Sequence, residues 1–206
     1  MSAFGKGGFR IRLAAVLGAM GLLCACLLGG RPEAPRYFRP EPPARVESAL
    51  DGAPGAGSTA PALRLHRVTS AAHLKERIVW RTSDVEFGFY DTRRWTELPA
   101  HYVEQRLSRQ LFEVRGLRRA TAGRAPLLEV ELLAFEEVLT PRHQARLELR
   151  VLLFDRKGIA RLERTFTTVE PIPGDDPVSV SRAIGRALNV LVGRVSDVIE
   201  SELRSD

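Results

Sequence analysis

Short stretches in which apolar and polar residues alternate recur along the chain. A period of two places one face of a strand against a core and the other in solvent, and branched and aromatic residues favour this structure. The pattern therefore predicts six strands, near residues 63–65, 78–81, 85–90, 128–134, 145–153 and 160–166.

The period changes to that of a helix in two places. The first apolar stripe consists of Val103, Leu107, Leu111 and Val114, and the second of Val180, Ile184, Ala187, Leu188, Leu191, Val195 and Val198. Pro99 suits the first turn of the first helix, and Gly116 suits its C-terminal cap. Asp176 and Pro177 suit the start of the second helix.

The predicted order is three strands, a helix, three further strands and a helix. Two helices laid on one face of a sheet bury both apolar layers with few elements. We therefore expect a single α+β domain over residues 62–206. Its expected form is a two-layer sandwich, with a mostly antiparallel sheet of about five to six strands and two main helices on one face.

The start of the chain has the pattern of a secretory signal peptide. A basic segment precedes an uninterrupted apolar run, residues 13–25, which is too short to span a bilayer. The letters LCAC at residues 23–26 resemble the bacterial lipobox. The resemblance implies that residues 1–25 are a lipoprotein signal peptide and that Cys26 becomes the lipidated first residue. The alternative is an uncleaved signal anchor over residues 13–30.

Residues 26–61 separate this start from the predicted domain. Seven of the residues in 27–61 are proline and five are glycine, a composition that does not sustain a helix or a central strand. We expect an acylated N-terminus and a flexible spacer here. Residues 36–39 within it are either a short edge strand or an aromatic, adhesive segment of a disordered linker. Both cysteines lie at the signal boundary, so the mature domain has no disulfide.

The charge balance argues against a nucleic-acid-binding protein. The chain has 31 Lys and Arg against 25 Asp and Glu, and removing residues 1–25 with their three basic residues leaves 28 against 25, or +3. Nucleic-acid binders usually carry a basic stripe on one face. The charges here alternate along the predicted strands and can pair across the sheet. One dense basic loop, Arg115 to Arg124, suits solvent better than an anionic headgroup or an acidic partner.

The sequence contains no familiar catalytic or metal-binding motif. The four histidines are His66, His73, His101 and His143. They stand in separate elements, without the spacing or the cysteines of a shared metal site. Asp175 and Asp176 precede a predicted helix, so capping explains them better than acid–base chemistry or cation binding. We therefore predict no enzyme activity, no metal and no cofactor, and only a covalent lipid on Cys26.

One constellation resembles a known family. It consists of IVWR at residues 78–81, VEF at residues 85–87, Tyr90, and Arg94 followed by Trp95 before the first helix. This arrangement resembles the ABC-type transport auxiliary lipoproteins, which include the PqiC-like lipoprotein component of MCE-type lipid transport systems.

The resemblance extends loosely over residues 36–203, beginning with the aromatic pair Tyr37 and Phe38. It departs from the family in the long alanine- and glycine-rich spacer. It also departs at Thr96 and Glu97, where a small residue, an acid and a proline are expected. These departures concern the N-terminal strand and the start of the helix.

The resemblance implies a non-enzymatic accessory of the bacterial envelope. Leu27, rather than aspartate, follows the lipobox cysteine, which resembles the signal for lipid anchoring at the outer membrane, facing the periplasm. The implied partner is the MCE-domain protein of an ABC-type transporter of lipids or other hydrophobic molecules, and a homo-oligomer is also possible. Tyr90, Arg94 and Trp95 form either a structural corner between strand and helix or a contact with this partner.

Two alternatives stay open at this point. A lipoprotein accessory of another envelope machine, for surface-glycolipid assembly or for peptidoglycan synthase activation, predicts the same anchor and a similar small domain. A small hydrolase with unfamiliar catalytic residues is the third hypothesis.

Overall fold

The computed structural model describes residues 33–42 and 60–205. The strands in these residues are β1 Arg36–Phe38, β2 Ala62–Leu65, β3 Thr69–Ser70, β4 Arg77–Arg81, β5 Phe87–Trp95, β6 Arg118–Arg119, β7 Leu127–Val138, β8 Gln144–Phe154 and β9 Ala160–Pro171. The helices are α1 Pro99–Ser108, which continues as a π-helix over Arg109–Val114, and α2 Pro177–Arg204. The α+β class predicted from the sequence is confirmed.

The sheet is larger and more mixed than the sequence predicts. Within the described residues it has nine strands, and the long strand β7 pairs antiparallel with β8 but parallel with β2, β3 and β4. The expectation of five to six mostly antiparallel strands is therefore wrong. Strands β2, β3 and β4 lie one after another along β7, opposite residues 127–128, 131–132 and 136–138, so all three run in the direction of β7.

The helices form a layer against the sheet. Helix α2 packs on β8 and β9 and contacts α1, which packs on β7. In α1 and its π-helical continuation, Val103, Leu107 and Leu111 are fully buried, but Val114 is 59% exposed. The π-helix has more residues per turn than an α-helix, which shifts the phase of the apolar stripe. Val114, the fourth residue of the predicted stripe, therefore points to solvent.

The start of α2 matches the prediction. Asp176 Oδ1 accepts hydrogen bonds from the backbone N–H groups of Val178 at 2.9 Å and Ser179 at 3.0 Å. Pro177 occupies the first turn. The Asp176 carboxyl also accepts a hydrogen bond from the side chain of Ser179. This bond and, after it, the backbone hydrogen bonds hold the pKa of the carboxyl below its usual value. The capping role predicted for this aspartate is therefore confirmed.

The sheet also uses residues that precede position 62. Strand β1 pairs in parallel with the end of β5, with Phe38 opposite Trp95. Beyond β1, the backbone of Glu41 lies on α2, and its N–H donates to the carbonyl of Ser181 at 3.2 Å. This close approach needs Gly185, because a Cβ there would lie 2.5 Å from the Glu41 nitrogen.

Candidate functional site

A large bulge in β5 shapes the site. Arg77 pairs with Arg94 and Val79 pairs with Phe89, so that Ile78 alone stands opposite the four residues 90–93. Bulges of this kind redirect side chains, and they occur often beside functional sites. The result is that Tyr90 and Trp95, on one strand, lie in very different surroundings.

Arg77 spans the bulge from the neighbouring strand. Its Nε donates to the Tyr90 carbonyl at 3.3 Å, and one terminal nitrogen donates to the Phe89 carbonyl at 3.4 Å and to Asp91 Oδ1 at 2.6 Å. Arg77 thereby supplies hydrogen-bond donors to the carbonyls of Phe89 and Tyr90, where the bulge begins.

Tyr90 lies half-buried at the rim of the sheet, between a cation and an anion. The Arg93 guanidinium stands over its ring, 4.0 Å from the centroid. Burial raises the pKa of Tyr90 to about 12, the negative charge of Glu137 adds to the increase, and Arg93 opposes it. The phenol therefore stays protonated at neutral pH.

Glu137 is a buried carboxylate at the end of β7. It is 2% exposed, and its Oε1 lies 2.7 Å from Nε2 of His143, while Oε2 lies 3.9 Å from a terminal nitrogen of Arg93. The other ring nitrogen of His143 lies 3.6 Å from the carboxylate of Asp175, just ahead of α2. A histidine thus connects the buried acid to the loop before the helix.

Glu136, the preceding residue, is buried on the opposite face of the sheet. Its Oε1 accepts hydrogen bonds from Arg81 at 2.7 Å and from Arg146 at 2.9 Å. Arg146 also pairs with Glu148. A buried charge is tolerated only when it is paired in this way, so Glu136 and its two arginines form a structural ion-pair network.

Both glutamates are buried, and a pocket adjoins Glu137. A pocket of about 280 Å³ lies on the Glu137 side and is lined by Tyr90, Arg93, Glu137, Leu139, His143 and Asp175. Its polar groups can hold a charged or hydrogen-bonding side chain of another protein.

The three residues singled out in the sequence do not share one surface. Trp95 is 1% exposed and packs edge-on against Phe135 and Tyr102, at centroid distances of 5.3 and 6.4 Å. Arg94 donates to the backbone carbonyl of Tyr90 at 3.3 Å. Trp95 therefore acts through packing, and a partner contact stays a prediction for Tyr90 and Arg94.

The corner between β5 and α1 is fixed by hydrogen bonds. The hydroxyl of Tyr102 lies 2.7 Å from Thr96 Oγ1 and accepts the N–H of Glu97 at 2.9 Å. The N–H of Thr96 donates to the carbonyl of Phe38 in β1 at 2.9 Å. Thr96 and Glu97 are the two positions that depart from the family pattern. Both are hydrogen-bonded to Tyr102 in the first turn of α1, and Thr96 is also hydrogen-bonded to β1.

Sequence reasoning missed the glutamate pair, and it considered Tyr90, His143 and Asp175 without bringing them together. Glu136 and Glu137 interrupt the alternation of β7, because two adjacent acids in a central strand must place one charge on each face. That interruption is the signal that could have found them. Cys26, the predicted lipidation site, lies outside the described residues, so its acylation stays a prediction.

Two further searches concern metals and membranes. Within residues 33–42 and 60–205, no three His, Cys, Asp or Glu side chains lie close enough together to hold a metal ion. In the same part of the chain, none of the helices combines the length and the apolar character needed to cross a bilayer.

The fold is shared with solved bacterial proteins. The structure of XCC0632 from Xanthomonas campestris has a TM-score of 0.65 and 20% sequence identity, and the match covers 84% of this chain and 97% of that protein. The hypothetical protein CT253 from Chlamydia trachomatis has a TM-score of 0.53 and 8% identity, and the match covers 71% and 99% of the two chains. At these identities the likeness defines an α+β fold class.

A family profile gives a more specific result. The profile of the ABC-type transport auxiliary lipoprotein component matches residues 47–196. The chain therefore belongs to this family, and the resemblance seen in the sequence is confirmed. The comparison with curated proteins finds no match.

Proposed function

We propose that the protein is a membrane-anchored, non-enzymatic accessory of an MCE-type ABC transport system, and that it docks the MCE-domain component at the outer membrane. The cargo of such a system is lipid or another hydrophobic molecule of the bacterial envelope. The observation that carries the proposal is the family match over residues 47–196, because this family is the auxiliary lipoprotein component of ABC-type transport.

The anchor in this proposal is the acyl group of Cys26. Several acyl chains hold a protein at a membrane stably, because each buried methylene adds about 0.8 kcal/mol. Confinement at the membrane raises the effective concentration of a docking surface, so that a weak contact is enough for assembly. The lipobox at residues 23–26 supports this part of the proposal.

We assign the docking surface to the end of the sheet formed by β1 and the bulge of β5. Tyr37 of β1 is 63% exposed and lies opposite Arg94 in the strand register. Tyr90, under the Arg93 guanidinium, borders the pocket beside Glu137. Tyrosine and arginine are enriched in protein interfaces, so this surface suits a protein partner.

The non-enzymatic part rests on how the polar groups of the site are used. Glu136 neutralises Arg81 and Arg146, and Glu137 holds His143. Tyr90 has a pKa of about 12 and stays protonated. Glu136, Glu137 and His143 therefore each make a structural contact, although Oε2 of both glutamates has no hydrogen-bond partner among the described residues.

Photo-crosslinking in native envelopes tests the proposal. A photoreactive amino acid at Tyr37 of the full-length protein is expected to form an adduct with an MCE-domain protein. The same amino acid at Val190, which is 46% exposed on α2, is the matched control and is expected to form none. Cys26→Ser is expected to abolish both the incorporation of a palmitate analogue and the adduct.

The identity of the adduct decides between the alternatives. A component of glycolipid assembly or of a peptidoglycan synthase, captured at Tyr37 but not at Val190, would contradict the MCE proposal and favour another envelope machine. Equal capture at both positions would contradict the assignment of the surface.

A further inference from the structure

A second pocket lies at the other end of the long strands. It has a volume of about 310 Å³, and the loop before β7, strand β2 and the turn between β8 and β9 contribute to it. Its volume lies within the range of small-molecule sites. None of the residues that line it belongs to the candidate docking surface.

The floor of this pocket is apolar. Leu127 and Phe154 stand directly opposite each other in β7 and β8 and both line the pocket. Their neighbours Leu128 and Leu153 are 0% and 2% exposed in the core. Because successive side chains of a strand point to opposite faces, the floor lies on the face of the sheet away from the core.

Three arginines from three separate segments surround this floor. They are Arg64 of β2, Arg124 of the loop before β7 and Arg156 of the turn after β8. None of them has an ion pair or a side-chain hydrogen bond within residues 33–42 and 60–205. Arg77, Arg81, Arg115 and Arg146, by contrast, are all paired with acids.

Arg64 carries the strongest evidence for a ligand. Its Nε is buried and has no acceptor among the described residues. A buried donor without a partner costs about 1–3 kcal/mol, so the Arg64 guanidinium has hydrogen-bonding capacity that the described residues do not use.

Two carboxylates also line the pocket, and their negative charges offset part of the charge of the three arginines. Asp155 Oδ1 accepts the backbone N–H groups of Lys157 at 2.7 Å and Ile159 at 2.9 Å, so this acid is bound to its own turn. Glu129 is the other. Three arginines against two acids leave a charge of +1.

We propose that this pocket binds the phosphate group of a small amphiphile, with the apolar part of the ligand on Leu127 and Phe154. Guanidinium groups bind phosphate and carboxylate oxygens in forked hydrogen bonds. Three arginines from separate segments line this pocket, and a phosphate group offers more oxygens to several guanidinium groups than a carboxylate does. The site is independent of the docking function proposed above.

Calorimetric titration of the full-length protein in a nonionic detergent tests the site, with hexyl phosphate and inorganic phosphate as the two probes. Hexyl phosphate is expected to bind at least tenfold more tightly, because its chain covers the apolar floor. That outcome identifies a lipid headgroup as the source of the phosphate, whereas equal affinity identifies free phosphate.

Three charge-removing variants complete the experiment. Arg64→Gln is expected to weaken the binding of hexyl phosphate at least tenfold. Arg124→Gln is expected to weaken it severalfold, and because Arg124 lies in a loop, this substitution should affect folding little. Arg142→Gln removes the same charge at the opposite end of the β7–β8 hairpin and is expected to leave affinity unchanged. Absence of binding at millimolar probe, or equal affinity in all three variants, would overturn the proposal.

Discussion

The two sides of the bulge in β5 have opposite characters although they belong to one strand. At one end, Trp95 is enclosed by aromatic rings and by β1, and it has almost no contact with solvent. At the other end of the bulge, Tyr90 lies between Arg93 and the buried charge of Glu137, beside a pocket. The bulge therefore separates a position that stabilises the fold from a position available to a partner.

The largest expected effect is at the buried end. Trp95→Ala is expected to lower the free energy of unfolding by about 3–5 kcal/mol, because it empties a large enclosed volume. Trp80→Ala is the matched control, since Trp80 lies over Gly88 and is only partly buried. Urea unfolding of both variants measures the two losses of unfolding free energy. Equal losses would contradict the contrast between the buried Trp95 and the partly buried Trp80.

A second test concerns the cover that β1 gives to the Trp95 end. Gly185→Ala is expected to destabilise by about 1–3 kcal/mol, because the new methyl group would displace Glu41 and loosen β1. Gly193→Ala is a control on the same helix with open space around it, and it is expected to stabilise by about 0.5–1 kcal/mol. Stabilisation by both substitutions would show that Glu41 does not pack on α2.

The smallest expected effect is at the Tyr90 end and depends on pH. The pKa of Tyr90 is raised from 10.0 to about 12, so between these values the folded state holds a proton that the unfolded state has lost. Stability linked to this proton is complete below pH 10 and is lost as the pH rises towards 12. Tyr90→Phe is therefore expected to lose less stability over this interval than the wild type does.

Urea unfolding on both sides of pH 10 checks this expectation. Tyr37→Phe, at an exposed tyrosine, provides the control and is expected to follow the wild type. If Tyr90→Phe declines as steeply as the control, Tyr90 is not buried beside Glu137 in solution.

Much of the secondary structure could be predicted because it depends on local patterns. The alternation of Ala145, Leu147 and Leu149 predicts β8, and all three side chains are buried. The stripe of α2 and its cap at Asp176 are likewise properties of neighbouring residues.

The pairing of strands and the site depend on contacts between distant segments. Alternation does not distinguish a parallel partner from an antiparallel one, so the direction of β4 beside β7 was not predictable from it. The bulge in β5 is visible only from its register with β4. Glu137 becomes a site residue only when Tyr90 and His143 reach it from other elements.

The position of β1 limits how far the folded part can move from a lipidated Cys26. Only nine residues, 27–35, separate that cysteine from Arg36, so the ten residue steps between them extend to at most about 35 Å. The rest of the proline- and glycine-rich stretch connects β1 to β2 and adds nothing to this radius. A transport partner would accordingly have to approach to within a few nanometres of the bilayer surface to be captured.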